Sequence, residues 1–389
     1  MKSGINIINA HYTFLEKISG VNIVIADLAQ GLCEIAKEEK PTVLAFDGTP
    51  GEFDHFKTVL LTREGDIRKE VARKLEAIPH PRVILCHNFH FPLFFEDIVK
   101  PFIGGALDTG TPVINAIHDY SSNDTVTSKW LIDRGVAFSA VSEQLGTDFL
   151  ADGYNCGVVK NSINTQKFRP DENESREIRA GLNIPDDVIL IGSYARAVPR
   201  KQFPQLISAF SKVLERTDKK IILYIRAIPS TVEPGKTDAV IEEIQNAAKD
   251  CGVGKKVILE TNPVPWETSL APYFNAADLL VFPSINEGFG LQLPEAVATG
   301  TPFICSDIGC YAEIVKKLVP SLASEIIFPA GDQSNMIESI HWALDHLTSL
   351  GKSISDAREA VVDIYGLPNM VNGYMELFGK AVKKSTGER

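Results

Sequence analysis

Leu279-Leu-Val-Phe282-Pro-Ser-Ile-Asn-Glu287-Gly288-Phe289-Gly290-Leu291-Gln-Leu-Pro294-Glu295-Ala-Val-Ala-Thr-Gly300-Thr-Pro302 is the stretch from which the rest of the chain is read. Leu279–Phe282 is a short apolar run and predicts a buried strand. Gly288 and Gly290 disfavour a continued helix, so a tight loop should follow. Pro294 is comfortable only in a first helical turn, which starts the next helix near Leu291. The amides around Phe289, Gly290 and Leu291 then have no intrahelical partner, and such amides bind phosphate. Glu287 stands before the loop and Glu295 inside the first turns, so they would flank one ligand from two sides. Carboxylates suit sugar hydroxyls because each oxygen can accept more than one hydrogen bond. The plainer alternative is a capped helix with two solvated glutamates. A strand, a glycine loop and a helix start that faces a ligand are the working edge of a doubly wound sheet.

Outward from this segment the same rhythm repeats. Ile5–Asn9, Thr42–Phe46, Arg82–Cys86, Pro112–Ile117 and Val136–Ala140 read as buried strands, with helical patterns at Val21–Ala36 and Gly65–Ile78. A second series follows at Val188–Ser193, Lys220–Ile225, Lys256–Leu259, Leu279–Phe282, Pro302–Cys305 and Glu325–Phe328. Pro204–Arg216, Thr237–Asp250 and Asn335–Leu347 are its helices. Alternation of this kind means α/β architecture with parallel sheets covered on both faces. Two series predict two doubly wound, Rossmann-like domains with a cleft between them: 1–165, 166–366, and a terminal helix in 367–389. The polar, turn-rich Asn161–Glu174 marks the seam. In Leu367–Lys384, Pro368 suits a first helical turn and Lys380, Lys383 and Lys384 suit a helix C-terminus.

Ligands of open α/β sheets bind beyond the carboxyl ends of the strands, so polar residues there matter most. Gly192-Ser-Tyr-Ala-Arg196-Ala-Val-Pro-Arg200-Lys201 follows a strand and leads into a helix. Arg196 and Lys201 could together hold a diphosphate, Arg through its planar fork and Lys as a point charge. One such contact at ~4 Å is worth ~4 kcal/mol at an effective dielectric of ~20, before desolvation. Arg200 is either a third contact or a solvated charge. Arg196→Ala and Lys201→Ala are each expected to abolish donor turnover with the fold intact. In the first domain, His118-Asp119-Tyr120 follows a strand. His118 could orient a donor group, and Asp119 could bind or polarise an acceptor hydroxyl. His87, His90 and His118 lack the spacing of a helical metal-binding pair, and His80 before Pro81 reads as a surface turn. Lys17-Ile-Ser-Gly20-Val-Asn22 precedes a helix, where Gly20 is either a plain turn residue or a point of close approach to phosphate.

Composition narrows the function. At 389 residues the chain exceeds the ~100–200 of one typical domain. Thirty-nine Lys and Arg against fifty Asp and Glu leave a net charge of −11, which argues against a nucleic-acid binder. It weakens tight docking on anionic lipid without settling membrane association. No apolar run approaches the ~20 residues of a membrane span, and Met1-Lys2-Ser3-Gly4 leads into a strand rather than a signal peptide. The expectation is a cytoplasmic protein, free or peripheral to a membrane. Cys33, Cys86, Cys156, Cys251, Cys305 and Cys310 form no Cys-x-x-Cys and read as core thiols. No Asp-x-Asp occurs, so the usual oxygen ligands for a metal-clamped nucleotide diphosphate are lacking. Arg196, Lys201 and a helix dipole would neutralise the charge instead.

These residues resemble the retaining glycosyltransferases of family 4, which have the GT-B fold. Glu287 and Glu295 with the Gly288-Phe289-Gly290-Leu291 core are similar to that family's paired-glutamate motif. Arg196 and Lys201 resemble its diphosphate pair, and His118-Asp119-Tyr120 its first-domain histidine motif. The likeness runs over roughly residues 5–380 and is looser in the first half. It implies that Glu287 meets the donor sugar and Glu295 the nucleotide ribose. Arg196, Lys201 and the amides of Gly290 and Leu291 would hold the diphosphate, with His118 near the sugar. It implies transfer from a UDP- or GDP-linked sugar to a sugar, lipid-linked or small-molecule acceptor, with no cofactor or metal. Three departures stand out: one Gly at Ser19-Gly20-Val21, no Gly-x-Gly in 227–235, and Cys310 where Gly is frequent. A phosphorylase or nucleotide-sugar epimerase of the same fold is the alternative, and a non-catalytic sugar-nucleotide-binding partner is a third.

Overall fold

The structure is a computed structural model that describes residues 3–14, 20–229, 234–262 and 268–387. Contacts divide the chain into two units, Met1–Ser162 with Tyr365–Arg389, and Ile163–Ile364.

The first unit is built on β1 (Asn6–Phe14), β2 (Thr42–Gly48), β3 (Gly51–Glu52), β4 (Lys57–Leu60), β5 (Arg82–His87), β6 (Val113–Ile117), β7 (Ala137–Ala140) and β8 (Gly157–Val158). They form one sheet in the order β3-β4-β2-β1-β5-β6-β7-β8. All pairings are parallel except β3 with β4. Every residue of β5 and β6 is buried, as expected where helices cover both faces. The helix Leu367–Thr386 belongs to this unit. It crosses the helix Gly20–Glu34 so closely that a Cβ on Gly31 would stand 2.4 Å from Val371 Cγ2.

The second unit carries β9 (Ile189–Arg196), β10 (Ile221–Ile228), β11 (Val257–Glu260), β12 (Leu279–Phe282), β13 (Phe303–Asp307) and β14 (Ile327–Pro329). Their order is β11-β10-β9-β12-β13-β14, parallel throughout. Amphipathic helices such as Phe203–Leu214 and Gln333–Asp356 bury Leu206, Phe210, Ile340 and Leu344.

Both sheets contain a topological switch. In the first, the chain leaves β1 toward β2 on one side and returns with β5 on the other. In the second, β9 is flanked by β10 and β12. Connections that diverge from neighbouring strands leave a crevice at the carboxyl ends, which is where ligands bind in open α/β sheets. Arg196 ends β9, and the glycine loop follows β12. His87 ends β5, and His118 lies just past β6.

Candidate active site

In the second unit, β12 ends at Phe282 and the helix Gln292–Thr299 begins directly after Leu291. Pro294 is its third residue, where its missing N–H breaks no helical bond. Gly290 has φ +81°, and a Cβ there would meet the Tyr311 ring at 2.2 Å. Only glycine fits both demands. The Gly290 and Leu291 amides have no hydrogen-bond partner among the described residues.

The loop is fastened to its neighbours. Gln292 donates from Nε2 to the Tyr194 carbonyl and accepts from the Tyr311 hydroxyl at 3.1 Å. Ser306 donates to the Ser284 carbonyl, and the Cys310 thiol donates to the Glu287 carbonyl at 3.3 Å. The Ile285 amide donates to the Arg200 carbonyl at 3.0 Å, which stitches the loop to the turn after β9. That turn, Pro199–Lys201, ends at Gln202 with φ +56° before the helix Phe203–Leu214 starts.

Lys201 and Glu287 form an ion pair through Nζ and Oε1, with side chains only 9% and 11% exposed. Burial pushes Lys201 below its ordinary range, and Arg200 and Arg196 push the same way against Glu287. Burial alone would raise Glu287, but Lys201 and Arg200, with hydrogen bonds from Lys201 and Ser284, hold it below the usual carboxylate range. Lys201 is thus lowered chiefly by burial, and Glu287 by its cationic and hydrogen-bonding neighbours against burial. Arg196 and Arg200 are half-buried beside the pair, and Glu295 is buried in the first turn of its helix.

In the first unit, His118 is half-buried and its amide donates to Asn88 Oδ1 at 2.7 Å. Its Nε2 lies 2.9 Å from His87 Nδ1, and His87 Nε2 lies 3.2 Å from Asn9 Oδ1. His90 is fully buried, with Nε2 2.8 Å from the Asp119 carbonyl and Nδ1 3.1 Å from Asn115 Nδ2. Burial first, then His11 and His90, push His118 down to about 3. Burial, then His118 and His11, also push His87 well below the ordinary imidazole range. These rings are therefore neutral acceptors and donors at working pH. Among the described residues no group of three or more His, Cys, Asp or Glu could hold a metal ion. Asp119 accepts from the Tyr120 amide at 3.1 Å, and the Tyr120 hydroxyl donates to Asp152. Gly20 opens its helix exposed, while Lys17–Ser19 and most of the loop after β10 lie outside the described residues. His80 is exposed just before β5.

The structure thus gathers Arg196, Lys201, Glu287, Gly290 and Leu291 in one place and sets His118 and Asp119 in the other unit. Sequence reading missed Gln292, Tyr311, Ser284 and Cys310, which hold the loop, and His87 with Asn9, which hold His118. His87 did carry a signal, because it follows the apolar run Val83–Cys86 at the end of its strand. A hollow of about 530 Å³ elsewhere on the first unit is lined by Arg68, Glu96, Lys100 and Asp108. There Arg68 pairs with Asp108 and Lys100 with Glu96. No helix among the described residues is long and apolar enough to cross a membrane.

Residues 174–359 match the family described as Glycosyl transferases group 1, and the match lies inside the second unit. The D-inositol 3-phosphate glycosyltransferase of Streptomyces avermitilis is 26% identical over 324 residues, 75% of this chain and 68% of that protein. The protein of the same name from Streptomyces coelicolor is 29% identical over 337 residues, 75% of this chain and 72% of that one. Among solved structures, Anabaena HepE in complex with UDP and glucose superposes with a TM-score of 0.78 at 15% identity, over 96% of this chain and 99% of the other. At that identity the superposition speaks for the fold. The second unit thus carries a domain of the group 1 glycosyltransferase family, and the chain has the GT-B fold.

Proposed function

We propose that this glycosyltransferase takes its sugar from a nucleotide-diphosphate donor, a UDP-linked hexose. It passes the sugar, with retention of anomeric configuration, to a sugar, lipid-linked or small-molecule acceptor without a divalent metal. The observation that carries the reading is the cluster of cations at the second sheet's switch point. Lys201, Arg196 and Arg200 stand there beside the partnerless amides of Gly290 and Leu291. HepE, which shares the fold, binds UDP with glucose and UDP-glucose, which favours uridine over guanosine.

Breaking the bond between the anomeric carbon and the phosphate oxygen leaves charge on the diphosphate. Fixed cations and amides aimed at that charge stabilise the transition state without reorganising. The acceptor hydroxyl attacks the same face, and its proton passes to the departing phosphate oxygen. In this reading Arg196, Lys201, Gly290 and Leu291 hold the diphosphate and Gly20 adds a close backbone approach. Glu287 and His118 meet the sugar, Glu295 meets the ribose, and Asp119 meets the acceptor. The histidines stay neutral, so they add no positive charge of their own.

The test is a thermal-shift and turnover series with UDP-hexoses and GDP-hexoses in excess EDTA. A bound donor at ~100 Kd should stabilise by about 2.7 kcal/mol. Arg196→Ala should lose both the shift and turnover. Full activity in Arg196→Ala, or strict dependence on a divalent metal, would sink the proposal.

A further inference from the structure

Asn9 on β1, His87 at the end of β5 and His118 just past β6 form a hydrogen-bonded chain across three adjacent strands. Asn9 and His87 are fully buried, whereas His118 is partly open. The orientation of the chain follows from its far end. Asn9 Oδ1 only accepts, so His87 carries its proton on Nε2. A neutral imidazole has one N–H, which leaves His87 Nδ1 as an acceptor. His118 must then donate from Nε2 across the 2.9 Å contact. Its other nitrogen, Nδ1, is then left as a lone pair, on a side chain that is itself half-buried. His11 and His90 crowd the same rings, which opposes a second proton on either. Of the carboxylates on the loop after β6, Asp119 accepts from the Tyr120 amide and Asp124 from the Ser121 amide, with Asp124 also 3.9 Å from His90 Nε2.

We propose that His87 is a positioning residue that locks His118 in the Nε2–H tautomer, so that His118 Nδ1 accepts a hydrogen bond from a hydroxyl of the donor sugar. The inference rests on the reading that His118 meets the sugar of a nucleotide donor. It adds a specificity rule: the ligand group facing His118 must be a donor, and a sugar lacking that hydroxyl leaves the nitrogen unanswered.

The full-length protein, labelled with nitrogen-15 in histidine, gives the direct test. In the wild type His118 should show a protonated, pyrrole-type Nε2 and an unprotonated, pyridine-type Nδ1. Turning the Asn9 amide over would reverse every proton in the chain, so the opposite pattern overturns the proposal without any variant. His87→Phe should scramble the His118 tautomer and cut kcat by roughly 10–100-fold, the scale found when the partner that orients a functional imidazole is removed. The KM for the donor nucleotide should change less. His87→Asn returns an acceptor oxygen near the lost Nδ1 and should recover most of the turnover. If His118→Phe retains wild-type turnover, the donor-site reading itself fails. If His118→Phe is inactive while His87→Phe keeps both wild-type kcat and the wild-type tautomer, only the lock fails.

Discussion

Removing the Lys201 ammonium separates what the pocket does for folding from what it does for chemistry. Lys201 and Glu287 are about nine-tenths buried and bond each other. In Lys201→Met, Glu287 remains in place with Arg200 as its nearest remaining positive neighbour. Breaking a buried pair by deleting one partner costs about 3–5 kcal/mol, because a charge stays behind without its counterion. For a domain of this size 1 kcal/mol moves the melting point by about 2–4 °C, so the expected drop is roughly 6–20 °C. The expectation from sequence, that an alanine at Lys201 leaves the fold intact, is therefore revised. Lys201→Met/Glu287→Leu replaces the pair with apolar volume and should melt within a few degrees of the wild type. It should still transfer no sugar. Glu287→Leu alone is a different case, because an orphaned lysine can shed its proton. Its folded pKa is already low, so between that value and ~10.4 the unfolded state binds more protons. The stability of Glu287→Leu should then rise as pH climbs through the lowered folded pKa toward ~10.4. Calorimetry on the four proteins decides the matter. A Lys201→Met melting point within ~2 °C of wild type, or a double variant as unstable as the single, would refute the buried-pair argument.

Three further outcomes follow from the same geometry. His90 is buried with its pKa down to about 4, and its Nδ1 faces the Asn115 amide nitrogen, so an added proton there has no acceptor. Stability from this residue is present above the ordinary pKa of ~6.5 and is lost as pH falls toward 4, about 3 kcal/mol in all; a nuclear magnetic resonance titration should find His90 neutral at pH 5, and a midpoint near 6.5 would contradict this. Gly290→Ala drives a Cβ into the Tyr311 ring at a positive φ, and should cost about 2–5 kcal/mol by thermal unfolding and abolish donor binding. Gln292→Met strips partners from the Tyr194 carbonyl and the Tyr311 hydroxyl, at about 1–3 kcal/mol; donor KM should rise as the loop detaches from β9, and an unchanged KM would show that the tether is idle.

The main strands were legible because parallel strands buried on both faces are written as short apolar runs. Leu279–Phe282 begins and ends where its apolar run does. The segments that escaped have reasons. β3 and β8 are two-residue edge strands that are fully exposed, and β4 is four residues of mixed exposure beside β3, so no period marks them. The helix Lys100–Asp108 contains Gly104 and Gly105, which speak against helix locally. The structure shows what overrides that propensity: a Cβ on Gly105 would lie 2.4 Å from the Arg68 carbonyl, so the helix needs glycine to pack. In the site, the glycine loop and its helix start were readable because backbone rules are local. The bond between Lys201 and Glu287 spans 86 positions, and no local pattern carries it.

That long-range pair also explains why the site contains a carboxylate so close to a predicted diphosphate. Arg196 and Arg200 need no help to stay charged, since a guanidinium keeps its proton under almost any burial. Lysine does not share that protection, and burial beside two arginines lowers its pKa. Without a neighbouring anion Lys201 would drift toward the neutral amine, which attracts no phosphate. Glu287 opposes that drift. Its own burial is tolerable only because the same cations hold it ionised. The charges of Lys201 and Glu287 are thus mutually conditional. The first unit meets the same topological switch with the opposite solution: its imidazoles are held neutral by burial and chained by single hydrogen bonds. A pocket of fixed cations suits a group that gathers negative charge as it leaves. Neutral rings with assigned protons suit hydroxyls, which must be told apart by the direction of their hydrogen bonds rather than by charge.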